Sequence, residues 1–216
     1  MTEFHAPPPS YHGPAWLHVI WLSLKDWAGD WFNQFLLHLT LLLAWITIIF
    51  GPPMLFGFYY LAYDLVHGRS SDPMDLIKAS KRFFWTSWRW MLLNLLVSVI
   101  LIVNIQFYWS LARWWSIMLT AVFLFLGLFW AMMQLYVIPY FMVQESKSLL
   151  LAVKNAGLTF LAAPGYTLLL FLFTMGLIIT SLVFILPLIL ALPSLALLIG
   201  VHAVIDRTQA YGVTKQ

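Results

Sequence analysis

The chain has 216 residues, of which 62% are hydrophobic and only 9% are charged, and its mean hydropathy is +0.88. A soluble domain carries roughly 25% charged residues, so this composition excludes a water-covered globule and predicts an integral membrane protein. The formal net charge is +3. In so apolar a chain the basic residues are expected to mark the cytoplasmic membrane face rather than to bind nucleic acid. The absence of cysteine excludes disulfides, thiolate metal sites and cysteine nucleophiles.

The N-terminal part is expected to hold a tail and one amphipathic helix. Residues 1–13 are polar and Pro-rich, which is typical of a flexible tail and not of a cleavable signal peptide. Over 14–30, Trp16, Ile20 and Trp27 share one helical face. Such a helix either lies in the membrane interface or packs on the bundle as an ordinary amphipathic helix, and the sequence leaves both readings open.

Uncharged runs long enough to cross a bilayer follow one another, separated by polar or Pro-containing breaks. They predict an all-α polytopic membrane bundle of about six transmembrane helices, near residues 32–50, 52–67, 91–110, 116–142, 166–186 and 188–205. The second is only about 24 Å long as a helix, so five spans remain an alternative. The single domain covers 14–207, with interfacial connectors at 72–89 and 145–163, and 208–216 forms a polar tail.

The connector at 72–89 carries basic residues beside an apolar stripe, as in a helix resting on an anionic leaflet. The side chains expected to contact lipid headgroups are Lys78, Lys81, Arg82 and Arg89. With six spans, every Lys and Arg except Arg113 falls on one side of the membrane. This bias predicts that both termini lie in the cytoplasm.

The chemistry of enzymes and ion-coupled transporters is not visible in the sequence. No Asp, Glu, Lys or Arg lies at a predicted membrane midplane, which disfavours carboxylate-coupled transport and intramembrane aspartyl proteolysis. Metalloprotease, P-loop, nucleophile-elbow and dinucleotide motifs are absent as well. We therefore expect no catalytic residue, metal site or cofactor, and a protein that is not an enzyme.

Two kinds of polar residue within the spans have alternative interpretations. His38 and His202 could reach a shared interior and ligate haem or chlorin metal, although an ordinary interhelical hydrogen bond is the favoured reading. A further group lies in the third and fourth spans and could line a polar path, but such residues more often join helices. Its members are Asn94, Ser98, Asn104, Gln106 and Gln134.

The stretch from Ile48 to Leu93, IIFGPPMLFGFYYLAYDLVHGRSSDPMDLIKASKRFFWTSWRWMLL, resembles the YesL-like family of bacterial membrane proteins, a family of unknown function. The later VIPYFMVQESKSLLLAVKNAGLTFLAAPG resembles the second connector of that family. Pro53, the high Trp content and the longer N-terminal tail depart from the family pattern. The resemblance implies a helical bundle often found beside bacterial sugar-uptake systems, and it implies no catalytic residues.

Three functions follow as hypotheses. The leading one is a non-catalytic membrane accessory or scaffold protein, supporting a carbohydrate uptake system or a larger membrane complex, with lipids and other membrane subunits as partners. The first alternative is a small permease or channel for an uncharged solute. The second is a structural subunit that contacts haem or chlorin pigments in a respiratory or photosynthetic complex.

Overall fold

The computed structural model describes residues 14–69, 73–184 and 192–210, and within these ranges it contains helices and no strand. The all-α prediction is confirmed. The predicted N-terminal tail lies outside the described residues. The helices are α1 (Ala15–Gly29), α2 (Trp31–Ile46), α3 (Gly51–Val66), α4 (Pro73–Arg82), α5 (Phe84–Ser110), α6 (Trp114–Val143), α7 (Leu149–Ala162), α8 (Pro164–Val183) and α9 (Leu192–Ala210).

Proline and glycine set several helix boundaries as the sequence predicts. Gly51 begins α3, with the following prolines in the first turn, where a missing backbone N–H costs nothing. Pro164 likewise opens α8. The loop predicted around Pro187 lies within 185–191, outside the described residues.

The connector predicted as one helix over 72–89 is two helices in the structure. The backbone of Phe83 leaves the helical region, with φ −99° and ψ 11°, and α5 starts at the next residue. The ring of Phe83 is buried against the rings of Phe56 and Phe141, so burying this side chain accompanies the break. Arg89 therefore belongs to the first two turns of α5 and not to the short basic helix.

Among the described residues, three helices are long and apolar enough to cross a membrane. They are α5, α6 and α8, which extend roughly 40, 45 and 30 Å. The helices α2 and α7 are apolar but shorter. This composition fits a membrane protein.

The helices α5 and α6 form an antiparallel hairpin. Contacts between them pair Trp90 with Gln134, Asn94 with Trp130, and Tyr108 with Phe123. As the residue number rises along α5, the number of its partner falls along α6. The tip of the hairpin is therefore the short turn that contains Arg113.

The C-terminal part of α6 is the centre of the core. Residues from Met132 to Met142 are buried there except Gln134, which is half-buried. Pro139 has no backbone N–H and cannot bond the carbonyl of Leu135, four residues earlier. A Cβ on Gly200 would lie 2.8 Å from that Leu135 oxygen. The backbone of α9 thus approaches α6 at the carbonyl that the proline leaves free.

The two outer segments expected at the interface pack against this core. In α1, Val19 and Ile20 are buried, which supports the bundle-packed reading of residues 14–30. In α7, Ala152 and Ala156 are fully buried, and Thr159 shares a hydrogen bond with Tyr140 of α6. Small side chains on α7 allow this close approach to α6.

Candidate functional site at the charged end of the bundle

The amides predicted as a path or as interhelical contacts bond mainly to indoles. Asn94 Oδ1 accepts from Trp130 Nε1 at 3.1 Å, and its Nδ2 donates to the Trp90 carbonyl at 2.9 Å. Trp90 Nε1 in turn donates to Gln134 Oε1 at 3.2 Å. The two indole bonds join α5 to α6 in adjacent turns, whereas the bond to the Trp90 carbonyl lies within α5.

The remaining three polar residues do not extend this arrangement. Asn104 donates to the Ile100 carbonyl of its own helix at 2.7 Å. Gln106 is exposed and Ser98 is half-buried. The structure therefore brings Asn94 and Gln134 together through tryptophans, while the other amides stand farther along α5.

The two histidines have separate environments. His202 Nε2 lies 2.9 Å from Asp26 Oδ2, which joins α9 to α1. His38 is only 4% exposed, and neither of its ring nitrogens has a hydrogen-bond partner within the described residues. His202 is thus paired with a carboxylate, whereas His38 is buried by the surrounding side chains. Across the described ranges, no group of three or more metal-ligating side chains occurs.

Within the described residues, the outer half of the α5–α6 hairpin leaves most of its side chains exposed. No residue of the most apolar 18-residue window of α5 is buried, and side chains such as Val103 and Phe125 are more than half exposed. From Leu92 to Ser110 the helix extends about 28 Å, close to the thickness of a bilayer core. Tryptophans stand at both ends of this stretch, as in interfacial belts. They are Trp85, Trp88 and Trp90 at one end and Trp109, Trp114 and Trp115 at the tip.

The opposite end of the hairpin adjoins a charged cleft between α3 and α4. The two helices approach closely, because a Cβ on Gly57 would lie 2.9 Å from the Leu76 carbonyl. Beside this contact lies a cavity of about 230 Å³. Its lining residues are Tyr60, Asp64, Asp75, Lys78, Ala79 and Arg82.

Both carboxylates of the cleft are ion-paired. Asp64 accepts from Arg69 Nη1 at 2.8 Å, and Asp75 accepts from Lys78 Nζ at 2.8 Å. Asp75 also lies in the first turn of α4, where the helix dipole favours a negative charge. These charges come from two helices and the turn between them.

Arg82 has a different environment. Its guanidinium lies 5.4 Å from the centre of the Phe83 ring. Its positive charge also acts on the pKa of Lys147, which lies in the turn after α6. Partial desolvation of Lys147, and secondarily the charge of Arg82, lower the pKa of Lys147. Lys147 Nζ donates to the Met142 carbonyl at 2.5 Å. This bond gives a hydrogen-bond partner to one carbonyl in the last turn of α6.

A second polar group joins the start of α8 to the end of α9. Tyr166 donates to Asp206 Oδ2 at 3.2 Å, and Arg207 Nη2 donates to the same oxygen at 2.6 Å. The Arg207 guanidinium also lies 4.0 Å from the centre of the Tyr166 ring. Because these groups are paired inside the fold, α9 continues beyond residue 205, where the sequence predicts its end.

The four basic residues predicted at the membrane surface divide into two pairs. Lys78 and Arg82 line the cleft, while Lys81 and Arg89 are exposed outside it. The sequence did not predict that Tyr60 and Asp64 line this cleft. The one local indication is that both are polar residues near the end of an apolar helix. No protein-family profile, curated protein or solved structure matches this chain.

Proposed function

We propose that the protein is a non-catalytic accessory or scaffold protein of a membrane. The observation that carries this proposal is the outer half of the α5–α6 hairpin, which is apolar, unburied and of bilayer length. In water this surface would be strongly unfavourable, whereas lipids or the apolar faces of other membrane subunits match it. Most of its exposed side chains are hydrocarbon.

The amide contacts favour this proposal over a permease. A solute path needs amide groups turned toward a wetted space, but Asn94 and Gln134 are bonded to Trp130 and Trp90. Interhelical bonds of this kind contribute roughly 0.6 kcal/mol each to helix association. They fit a packed hairpin that serves as a rigid surface.

A pigment-binding role receives less support. A haem or chlorin metal needs a ring nitrogen with open space beside it, yet His38 is closed off by packing and His202 contacts Asp26. The proposal therefore assigns neither histidine to a cofactor.

The likeness to the YesL-like family extends the proposal to a cellular setting. It suggests a bacterial inner membrane and a carbohydrate uptake system as the supported assembly. The charges agree with cytoplasmic termini, because the cleft residues and Lys147 lie at the opposite end of the hairpin from Arg113. A multi-pass topology with this orientation is part of the proposal.

Photo-crosslinking from the hairpin tests the proposed role. A photoreactive amino acid replaces Phe125, which is 62% exposed on the outer hairpin, and a matched probe replaces Leu150, which is 82% exposed on α7. We expect a discrete protein adduct from Phe125 in native membranes and a different pattern from Leu150. The same subunit should co-purify in mild detergent. A partnerless monomer that transports an uncharged solute in liposomes would reject the accessory role.

A further inference from the structure

The cleft between α3 and α4 has the size and charge pattern of a site for a small zwitterion. Its volume of about 230 Å³ is below the range typical of drug-sized ligands, about 300–1,000 Å³. Its wall carries both carboxylates and cations, so a purely anionic ligand would meet Asp64 and Asp75 as well as Arg82. A ligand with a phosphate and an ammonium group matches both signs.

The polar groups of the cleft differ in how well they are satisfied. Asp64 is 13% exposed at its side chain and paired with Arg69, so it is the less hydrated carboxylate of the cleft. The pair of Asp75 and Lys78 is much more exposed, at 43% and 70%. An exposed ion pair is worth little, so Asp75 can exchange Lys78 for another ammonium group at small cost.

Arg82 and Tyr60 line the cleft but belong to neither of its two ion pairs. Arg82 is exposed, and the Arg82 and Tyr60 side chains both lie beside the Phe83 ring. Lys147 places a second cation near Arg82. Two neighbouring cations form a site that an anion would stabilise.

The position of α4 suggests where that anion comes from. Its outward face combines exposed Met74 and Ile77 with exposed Lys78 and Arg82, which is the pattern of a helix at the lipid headgroup level. One residue separates α4 from α5, and Trp85 at the start of α5 is 74% exposed. The cleft therefore adjoins the point where the hairpin enters the apolar layer.

We propose that this cleft binds the headgroup of an aminophospholipid, with the lipid phosphodiester on Arg82 and the lipid ammonium at Asp75. A guanidinium can bind two phosphate oxygens at once, and the Tyr60 hydroxyl supplies a further donor. Asp75 gives the cleft a preference for an amine-bearing headgroup over a glycerol headgroup. This site goes beyond the scaffold role and does not depend on any protein partner.

The test compares lipids of equal chain length bound to the full-length protein. Protein in mild detergent is titrated with phosphatidylethanolamine or phosphatidylglycerol, and bound lipid is counted by native mass spectrometry. We expect phosphatidylethanolamine to bind more tightly. Arg82→Gln should weaken its binding about tenfold, the usual effect of losing a charge-assisted hydrogen bond, whereas the adjacent exposed control Lys81→Gln should change it less than about twofold.

Asp75→Asn separates headgroup selection from simple attraction of anions. We expect this variant to lose the preference for phosphatidylethanolamine while still binding both lipids. Equal effects of Arg82→Gln and Lys81→Gln, or stronger binding of phosphatidylglycerol by the unmodified protein, would overturn the proposal. Inorganic phosphate that displaces the lipid at equal concentration would also overturn it, because the site would then be one for a soluble anion. None of these outcomes affects crosslinking from Phe125, so the two proposals fail separately.

Discussion

Replacing Gly200 with alanine tests the close crossing of α6 and α9. The new Cβ would lie 2.8 Å from the Leu135 carbonyl oxygen and 3.2 Å from Pro139 Cγ. Both neighbours are rigid, since one is backbone and the other belongs to a proline ring. The contact can be relieved only if α9 moves away from α6.

The expected magnitude combines two opposing effects. Overpacking a core costs about 1–3 kcal/mol, and two rigid neighbours place this site near the upper end. Replacing glycine by alanine inside a helix returns about 1 kcal/mol. The net loss in the free energy of unfolding is therefore about 1–2 kcal/mol, which lowers the melting temperature by roughly 2–8 °C for a chain of this size.

The matched control is Gly176→Ala in α8, where a Cβ would meet nothing within 4 Å. Only the helix-propensity gain applies there, so the melting temperature should stay level or rise. Thermal unfolding in one detergent, followed by tryptophan fluorescence, gives both values. If Gly200→Ala proved as stable as Gly176→Ala, α6 and α9 would not cross closely at Leu135.

Three further predictions concern polar contacts. A double-mutant cycle of Asn94→Leu and Trp130→Phe should give a coupling energy of about 0.6 kcal/mol in detergent unfolding, and zero coupling would contradict the interhelical bond. Asp26→Leu removes the carboxylate that contacts His202 and should lower the free energy of unfolding by about 1–3 kcal/mol. An unchanged melting temperature would count against the pair of Asp26 and His202. The lowered pKa of Lys147 means that its amine loses its proton at a pH where an ordinary lysine, with a pKa near 10.4, is still charged. Lys147 should therefore react faster than an ordinary lysine with an amine-specific reagent. Arg82→Gln should slow that reaction by raising the pKa of Lys147, and an unchanged rate would show that the two cations do not interact.

Local patterns in the sequence were enough to predict much of the helical layout. The start of α3 at Gly51 illustrates this, whereas the division of the 72–89 connector near Phe83 was not predicted. Pro52 and Pro53 act on their own backbone and can be recognised from the residue types alone. The break at Phe83 accompanies burial against Phe56 and Phe141, which are distant in sequence.

The candidate site was only half visible in the sequence. Lys78 and Arg82 stand out as charges in an apolar chain, but their cleft also needs Tyr60 and Asp64 from α3. Nothing local indicates that α3 and α4 meet at Gly57, because helix pairing depends on the packing of side chains from different segments.

The sequence by itself determined that this chain is an all-α protein with membrane-length apolar helices, because run length, charge content and proline position are local properties. The tertiary structure alone decided that α1 packs on the bundle, that Asp26 contacts His202, and that the outer hairpin is largely exposed among the described residues. Every face of a membrane helix can be apolar, so hydropathy does not say which face meets protein and which meets lipid. Only the packed positions of the helices make that distinction.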